Sequence, residues 1–181
     1  ADLDGVSLAA LSESPIDPEA TLLGSDGVRY LCRGGCLLFV GPSGVGKSTS
    51  SAQQDILWAL GRPAFGIVPA RALRIVTVQA ENDTGDLIYM AKGIMDALEL
   101  DRDARGIVDA NTRYLSHNQS TGGAFLAFLE RVLQAHRPDL LRIDPLMAYA
   151  GGDLTKPETI AAFCRNGLNP LATRHGCGMV V

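Results

Sequence analysis

Apolar residues along this chain keep two rhythms that alternate from about residue 36 onward. Short unbroken apolar runs predict buried strands, and recurrence every three or four positions predicts helices that pack by one face. The run Cys36-Leu-Leu-Phe-Val40 predicts a first buried strand, and residues 48–60 predict a helix that stops at Gly61. Proline and glycine punctuate residues 62–70 as a connection, and the β-branched run at 73–79 predicts a second strand. From Thr84, the residues Leu87, Ala91, Ile94, Met95 and Leu98 recur at helical spacing, and residues 112–116 predict a short strand. Phe125, Phe128, Leu129, Val132 and Leu133 mark an amphipathic helix ending before Pro138, and Leu140-Leu-Arg-Ile-Asp144 is a strand closing on an acid. Thr155-Lys-Pro-Glu158 combines a capping-box pattern with proline in the first turn, a helix start. Gly178-Met-Val-Val181 opens one more strand.

Strands alternating with helices imply an α/β fold, a three-layer sandwich around a mostly parallel sheet. Ligands of such sheets sit at the carboxyl ends of the strands. The loop at Gly41, the acids after Gln79 and Asp144 would all meet there. Residues 1–20 carry serine, proline and acids without sustained periodicity, so they predict a loosely ordered lead-in to a domain spanning 21–181. Arg142 breaks the pattern as a charge in a strand that should be buried. Two readings stay open for it, reaching out to the sheet margin or answering a local acid.

Composition narrows the class. At 181 residues the chain is long enough to bury one core, and 46% hydrophobic with 20% charged residues is ordinary for a soluble globular domain. No apolar run approaches the roughly 20 residues needed to span a bilayer. The start, Ala1-Asp-Leu-Asp4, lacks the basic-then-apolar pattern of a secretion signal, so a cytoplasmic location with no membrane partner is expected. A net charge of −4 weighs against a broad basic nucleic-acid surface, although a ring gripping DNA through a few loops needs no overall positive charge. Of the four cysteines only Cys32 and Cys36 are close in sequence, and no histidine completes a zinc pattern with them. Cys36 is expected to start a buried strand and Cys164 to lie on an apolar helix face, so Cys32, Cys36, Cys164 and Cys177 read as thiols.

The strongest chemical signal is Gly41-Pro-Ser-Gly-Val-Gly-Lys47-Ser48-Thr49, which fits G-x-x-x-x-G-K-[ST] at every fixed position. A strand before it and a helix after it are the context this motif requires. Its glycines let backbone N–H groups converge on phosphate oxygens, and the helix N-terminus adds its positive dipole end. Gly41, Pro42, Ser43, Gly44, Val45, Gly46, Lys47, Ser48 and Thr49 are therefore the candidate nucleotide-binding residues. Lys47 supplies a mobile positive charge for the β- and γ-phosphates, and the Ser48 hydroxyl is the expected Mg²⁺ ligand. These residues predict binding of a nucleoside triphosphate, with ATP and Mg²⁺ as the expected pair.

Two acids turn binding into hydrolysis. Asp144 ends an apolar strand, where a carboxylate can hold the Mg²⁺ shell opposite Ser48. Glu81 follows the second strand, where a carboxylate near the γ-phosphate can orient the attacking water. Asn82, Asp83 and Thr84 are also good caps for the next helix, and a cap at Asp83 or Thr84 leaves Glu81 free to face the nucleotide. His117 tops a predicted strand, either close to the site or in a polar turn. Asp153 and Thr155 are equally ambiguous. His136 and His175 read as surface residues near helix C-termini, and Trp58 as packing.

Together, Gly41-Pro-Ser-Gly-Val-Gly-Lys-Ser-Thr49, Leu60-Gly-Arg-Pro-Ala-Phe65, Val78-Gln-Ala-Glu-Asn-Asp83 and Leu141-Arg-Ile-Asp-Pro-Leu146 with Gly151-Gly-Asp153 resemble the RecA-like P-loop ATPases. Within them the chain is most similar to the hexameric replicative helicases of RepA type and their phage and plasmid relatives, the AAA-family ATPases of mobile elements. The resemblance runs from about residue 22 to the end. It implies a RecA-type sheet in which the strand after the Asp144 strand inserts between it and the first strand. It implies that Glu81 polarises water, that Asp144 supports Mg²⁺, and that the domain works as a ring-shaped homo-oligomer, such as a hexamer, coupled to DNA unwinding or handling. The family usually continues with a γ-phosphate sensor, further strands, DNA-contacting loops and an arginine finger, so the resemblance implies a C-terminally incomplete domain with DNA contacts beyond residue 181. The last strand is then expected in mid-sheet with an unpaired edge. A small-molecule kinase is the alternative from another class, since guanylate-kinase-like enzymes share such a loop, but residues 65–71 do not look like their acceptor segment. A nucleotide-dependent assembly switch with little turnover is the third reading, which Glu81 and Asp144 argue against.

Overall fold

The computed structural model describes residues 5–25, 27–42 and 44–181; residues 1–4 of the expected lead-in lie outside the described residues. The elements in chain order are α1 (Leu8–Glu13), β1 (Thr21–Ser25), β2 (Val28–Cys32), β3 (Cys36–Leu37), α2 (Lys47–Ala59), β4 (Val68–Pro69), β5 (Ile75–Gln79), α3 (Thr84–Ala97) and α4 (Arg102–Asn111). They continue with β6 (Thr112–Ser116), α5 (Gly122–His136), β7 (Leu140–Asp144), α6 (Pro157–Ile160), α7 (Asn169–His175) and β8 (Gly178–Val180). A π-helical stretch, Ala161–Leu168, joins α6 to α7 without a break.

Five strands form a parallel sheet in the order β3-β8-β7-β5-β6, flanked by helices. The strand after β7 lies between β7 and β3, the order the resemblance implies. Because both neighbours of β8 precede it in the chain, β8 is paired on both flanks. This corrects the expectation of an unpaired last strand; β3 and β6 are the outer strands. A second, antiparallel sheet, β2-β1-β4, sits beside it. β1 and β2 pair as antiparallel neighbours with Gly27 at φ 80° between them, a pairing that the apolar pattern alone did not reveal.

Side chains alternate across each strand, so each face of the sheet meets its own layer. Val76, Val78, Leu141, Ile143 and Met179 pack with Phe125, Leu129 and Leu133 of α5 and Leu171 of α7. Ile75, Leu140 and Val180 meet Leu22, Leu23, Trp58 and Leu73 toward the antiparallel sheet. Ala52 and Ile56 of α2 pack with Ile94 of α3 and with Ala104 and Val108 of α4. Thr77 and Arg142, paired in register on β5 and β7, point toward α2.

Several boundaries differ from the sequence reading. The strand expected over 36–40 is only two residues long, and Cys36, Leu38 and Val40 are exposed rather than buried, because an outer strand has one neighbour to cover it. No helix was predicted at α4, which buries only Ala104 and Val108, too narrow a stripe to stand out; its signal was the cap Asp101, whose carboxylate accepts from Ala104 N at 2.8 Å. The capping box at Thr155 does not form. Thr155 Oγ1 instead donates to Asp153 Oδ1 at 2.7 Å in a local turn, and α6 starts after Lys156 with Pro157 in its first turn. Among the described residues no helix is long and apolar enough to cross a membrane.

Candidate active site

Between β3 and α2 the chain turns through Gly44 and Gly46 at φ of 78° and 85°. Only glycine enters this left-handed region without strain, so the motif's spacing is a backbone requirement. Gly46 is the N-cap of α2, and no side chain caps it, so the first N–H groups of a 13-residue helix face outward from an exposed loop. Gly41, Pro42, Gly44, Val45, Gly46 and Thr49 are exposed and Lys47 and Ser48 half-buried; Ser43 lies outside the described residues. The Lys47 ammonium donates to the carbonyls of Gly41 at 2.9 Å and Pro42 at 2.7 Å. This charge therefore rests on the loop itself, with no carboxylate partner among the described residues.

Asp144 closes β7 and pairs in register with Gln79, the last residue of β5. Glu81 stands two residues beyond Gln79 and is exposed, so both acids leave the sheet at its carboxyl edge, beside the phosphate loop. Ala80 N donates to Asp144 O at 3.2 Å, tying the start of the Glu81 loop to β7. The Tyr149 phenol is pushed far above its ordinary value, first by burial and then by the negative charges of Asp144 and Glu81. Lys47, Asp144, Gly41 and Ser51 line one cleft of about 310 Å³ at this edge.

Gln79 had no role in the sequence reading, yet it shapes the Glu81 loop. Its buried amide donates to Asn82 O at 2.9 Å and to Ser116 Oγ at 2.7 Å, and accepts from Asn82 N at 2.8 Å. One side chain thus clamps both backbone groups of Asn82 and anchors the turn to the end of β6. Next along, Asp83 caps α3 by accepting from Asp86 N at 2.8 Å, which leaves Glu81 outside the cap.

Arg142 answers a local acid. Its side chain is 2% exposed and that of Asp55, on α2, is 0%. Nε and Nη2 both donate to Asp55 Oδ1, at 2.9 and 2.7 Å, and further bonds reach Ser51 Oγ at 3.2 Å and Gln54 Oε1 at 3.1 Å. Thr77 and Tyr114 donate to Asp55 Oδ2 at 2.7 and 2.9 Å, and Arg142 lies over the Trp58 ring at 5.7 Å. This network fastens the helix behind the phosphate loop to β5, β6 and β7, the strands that carry Glu81 and Asp144.

His117 takes no direct place at the site. Its ring stacks on Phe128 at 3.9 Å, Nε2 meets Ser120 Oγ at 2.7 Å, and its carbonyl accepts from Tyr149 OH at 2.7 Å. Tyr149 in turn stacks on Phe125 at 3.9 Å, so this column braces the phenol beside the two acids. His136 is exposed at the end of α5, whereas His175, expected at the surface, is half-buried against Glu130 Oε1 at 2.7 Å. Trp58 is buried packing, as expected.

Among the described residues no group of three or more His, Cys, Asp or Glu could hold a metal ion alone. The oxygens of Ser48 and Asp144 nevertheless suit Mg²⁺, a hard cation that takes one or two protein ligands and completes its shell from phosphates and water.

Comparison with known proteins places the arrangement. No curated protein matches the chain. A KaiC-like protein from the hyperthermophilic archaeon Pyrococcus horikoshii is a solved structure that it resembles, at 19% identity and a TM-score of 0.49, covering 90% of this chain and 68% of that one. The AAA domain family model matches residues 5–181, nearly the whole sequence. The match over nearly the whole sequence shows that the chain belongs to the AAA domain family and, with its phosphate loop, is a P-loop ATPase domain.

Proposed function

We propose that this domain hydrolyses ATP with Mg²⁺ and couples the cycle to DNA unwinding or handling as part of a ring-shaped homo-oligomer, such as a hexamer. The observation that carries the reading is the convergence of Lys47, Asp144 and the Glu81 loop on one carboxyl edge of the sheet. ATP lays its phosphates along Gly41, Pro42, Ser43, Gly44, Val45, Gly46, Lys47, Ser48 and Thr49, with backbone N–H groups and the α2 N-terminus as donors. Lys47 swings from its loop carbonyls to the β- and γ-phosphates. Ser48 and Asp144 would hold Mg²⁺, which supplies charge neutralisation on the phosphate oxygens. Glu81 orients a water toward the γ-phosphate, and the Gln79 clamp keeps its loop in place. Steady-state ATP hydrolysis with and without single-stranded DNA tests the coupling. Stimulation by DNA is expected; turnover indifferent to DNA removes the unwinding assignment while leaving the ATPase.

A further inference from the structure

At the opposite, amino end of the central sheet, arginines collect around two adjoining clefts. The first, about 410 Å³, is lined by Arg33, Arg74, Arg137, Arg174 and His175. The second, about 180 Å³, is lined by Arg74, Arg113 and His136. Arg74 and Pro138 line both, so the clefts form one band across the end of the sheet.

Negative charge is short along this band. Asp139 is shared by Arg33 at 3.0 Å, Arg71 at 2.8 Å and Arg74 at 3.8 Å, and Glu130 is shared by Arg174 at 2.8 Å and His175 at 2.7 Å. The Glu19 carboxylate pairs with Arg71 at 3.8 Å, and its backbone carbonyl accepts from Arg33 Nε at 3.1 Å. The Arg137 side chain has no partner among the described residues. Helix capping explains part of the cluster, because α5 and α7 both end here and cations are favoured at helix C-termini. Arg33 follows that logic by donating to Gly176 O at 2.9 Å. Capping leaves Arg137, Arg74 and Arg174 with exposed guanidinium groups, concentrated at one edge of a chain whose net charge is −4.

We propose that this arginine band binds the phosphodiester backbone of duplex nucleic acid. Guanidinium groups present forked donors that match phosphate oxygens, and a band across two clefts fits successive phosphates better than a single small anion. Among the described residues no Phe, Tyr or Trp lines either cleft, so the band offers no platform for stacking unpaired bases. Contacts limited to the backbone give affinity without sequence preference and make it steeply dependent on salt. The band is remote from the phosphate loop, so binding requires no nucleotide.

The test is fluorescence anisotropy of a labelled 20-base-pair DNA duplex titrated with the chain at several salt concentrations, without ATP. Arg137→Ala/Arg174→Ala removes two exposed cations and leaves the Asp139 cluster intact. The double variant should bind on the order of fifty-fold more weakly at 0.1 M salt, with the log–log salt slope shallower by about 1.8. Arg137→Lys/Arg174→Lys should recover most of the loss, separating charge from any disturbance of the fold. Equal affinity in wild type and the alanine variant overturns the proposal. So does failure of the wild type to bind the duplex in 0.05 M salt, including the case where it instead binds anionic phosphatidylserine vesicles through the same arginines. ATP hydrolysis of the double variant, read separately, should equal wild type, so failure here and failure of the ATPase reading are distinguishable.

Discussion

Two charged clusters touch the same strands, β5 and β7, and treat their charges in opposite ways. Inside, the Arg142–Asp55 pair is closed to solvent, and its bonds run to Ser51, Gln54, Thr77 and Tyr114. Buried side-chain nitrogens and oxygens left without a partner are absent among the described residues. Outside, a few residues along the same strands, Glu81 is exposed, Asp144 has no side-chain hydrogen bond among the described residues, and Lys47 rests on two loop carbonyls. A charge whose bonds are all spent within the protein can only hold shape. A charge left without such bonds is available to phosphate, metal or water. The first cluster is the frame, and the second is the one to which the proposed function assigns the chemistry.

Breaking the frame should have the largest effect. Asp55→Ala leaves the Arg142 guanidinium buried without its counter-charge and should cost about 3–5 kcal/mol of stability, read from the urea midpoint. Asp55→Leu combined with Arg142→Met removes both charges and should recover much of that loss; a double variant as unstable as the single one would contradict a pairwise network. Lys47→Ala strikes the other cluster, leaving stability near wild type but weakening ATP by about ten- to a hundredfold in a calorimetric titration, since hydrogen bonds to charged groups contribute about 1.5–3 kcal/mol. Gln79→Leu probes the link between the clusters. It should lower kcat about tenfold with little change in nucleotide affinity, because a loosened loop misplaces Glu81 without touching the phosphate loop.

The smallest effect concerns alkaline pH. The Tyr149 phenol ionises less readily in the folded chain than in the unfolded one, because of burial and of Asp144 and Glu81; Tyr114, an exposed residue whose hydroxyl is desolvated against Asp55, shifts in the same direction. A group raised on folding contributes stability that is intact below the unfolded tyrosine value near 10 and is lost as pH rises above it. Stability should therefore fall from about pH 10 upward by at most about 1.4 kcal/mol per pH unit for Tyr149, with a smaller share from the more exposed Tyr114. Tyr149→Phe should flatten the decline measured by urea unfolding between pH 8 and 11.

The phosphate loop and the strands around it were legible because their information is local: glycine spacing, an unbroken apolar run, an acid at the end of it. The two-residue β3 was overextended because its exposure depends on being the outer strand, a fact set by β8 some 140 residues later. Arg142 announced that a partner must exist, since an unpaired buried charge is prohibitive, but Asp55 lies 87 residues away and nothing local points to it. Gln79 was silent for a related reason: an amide in a buried strand shows its purpose only once Asn82 and Ser116 are folded around it. The amino-end arginines were hidden by the net charge, which averages over both ends of the sheet.

The division between binding and chemistry rests on Glu81. The decisive measurement is ATP affinity and steady-state turnover, side by side, in Glu81→Gln. Affinity within about twofold of wild type, with turnover reduced on the order of 10²–10⁴-fold, is the expected result. Turnover at the wild-type rate in a variant that still binds ATP would contradict the assignment and take the water-orienting role away from the loop that Gln79 holds.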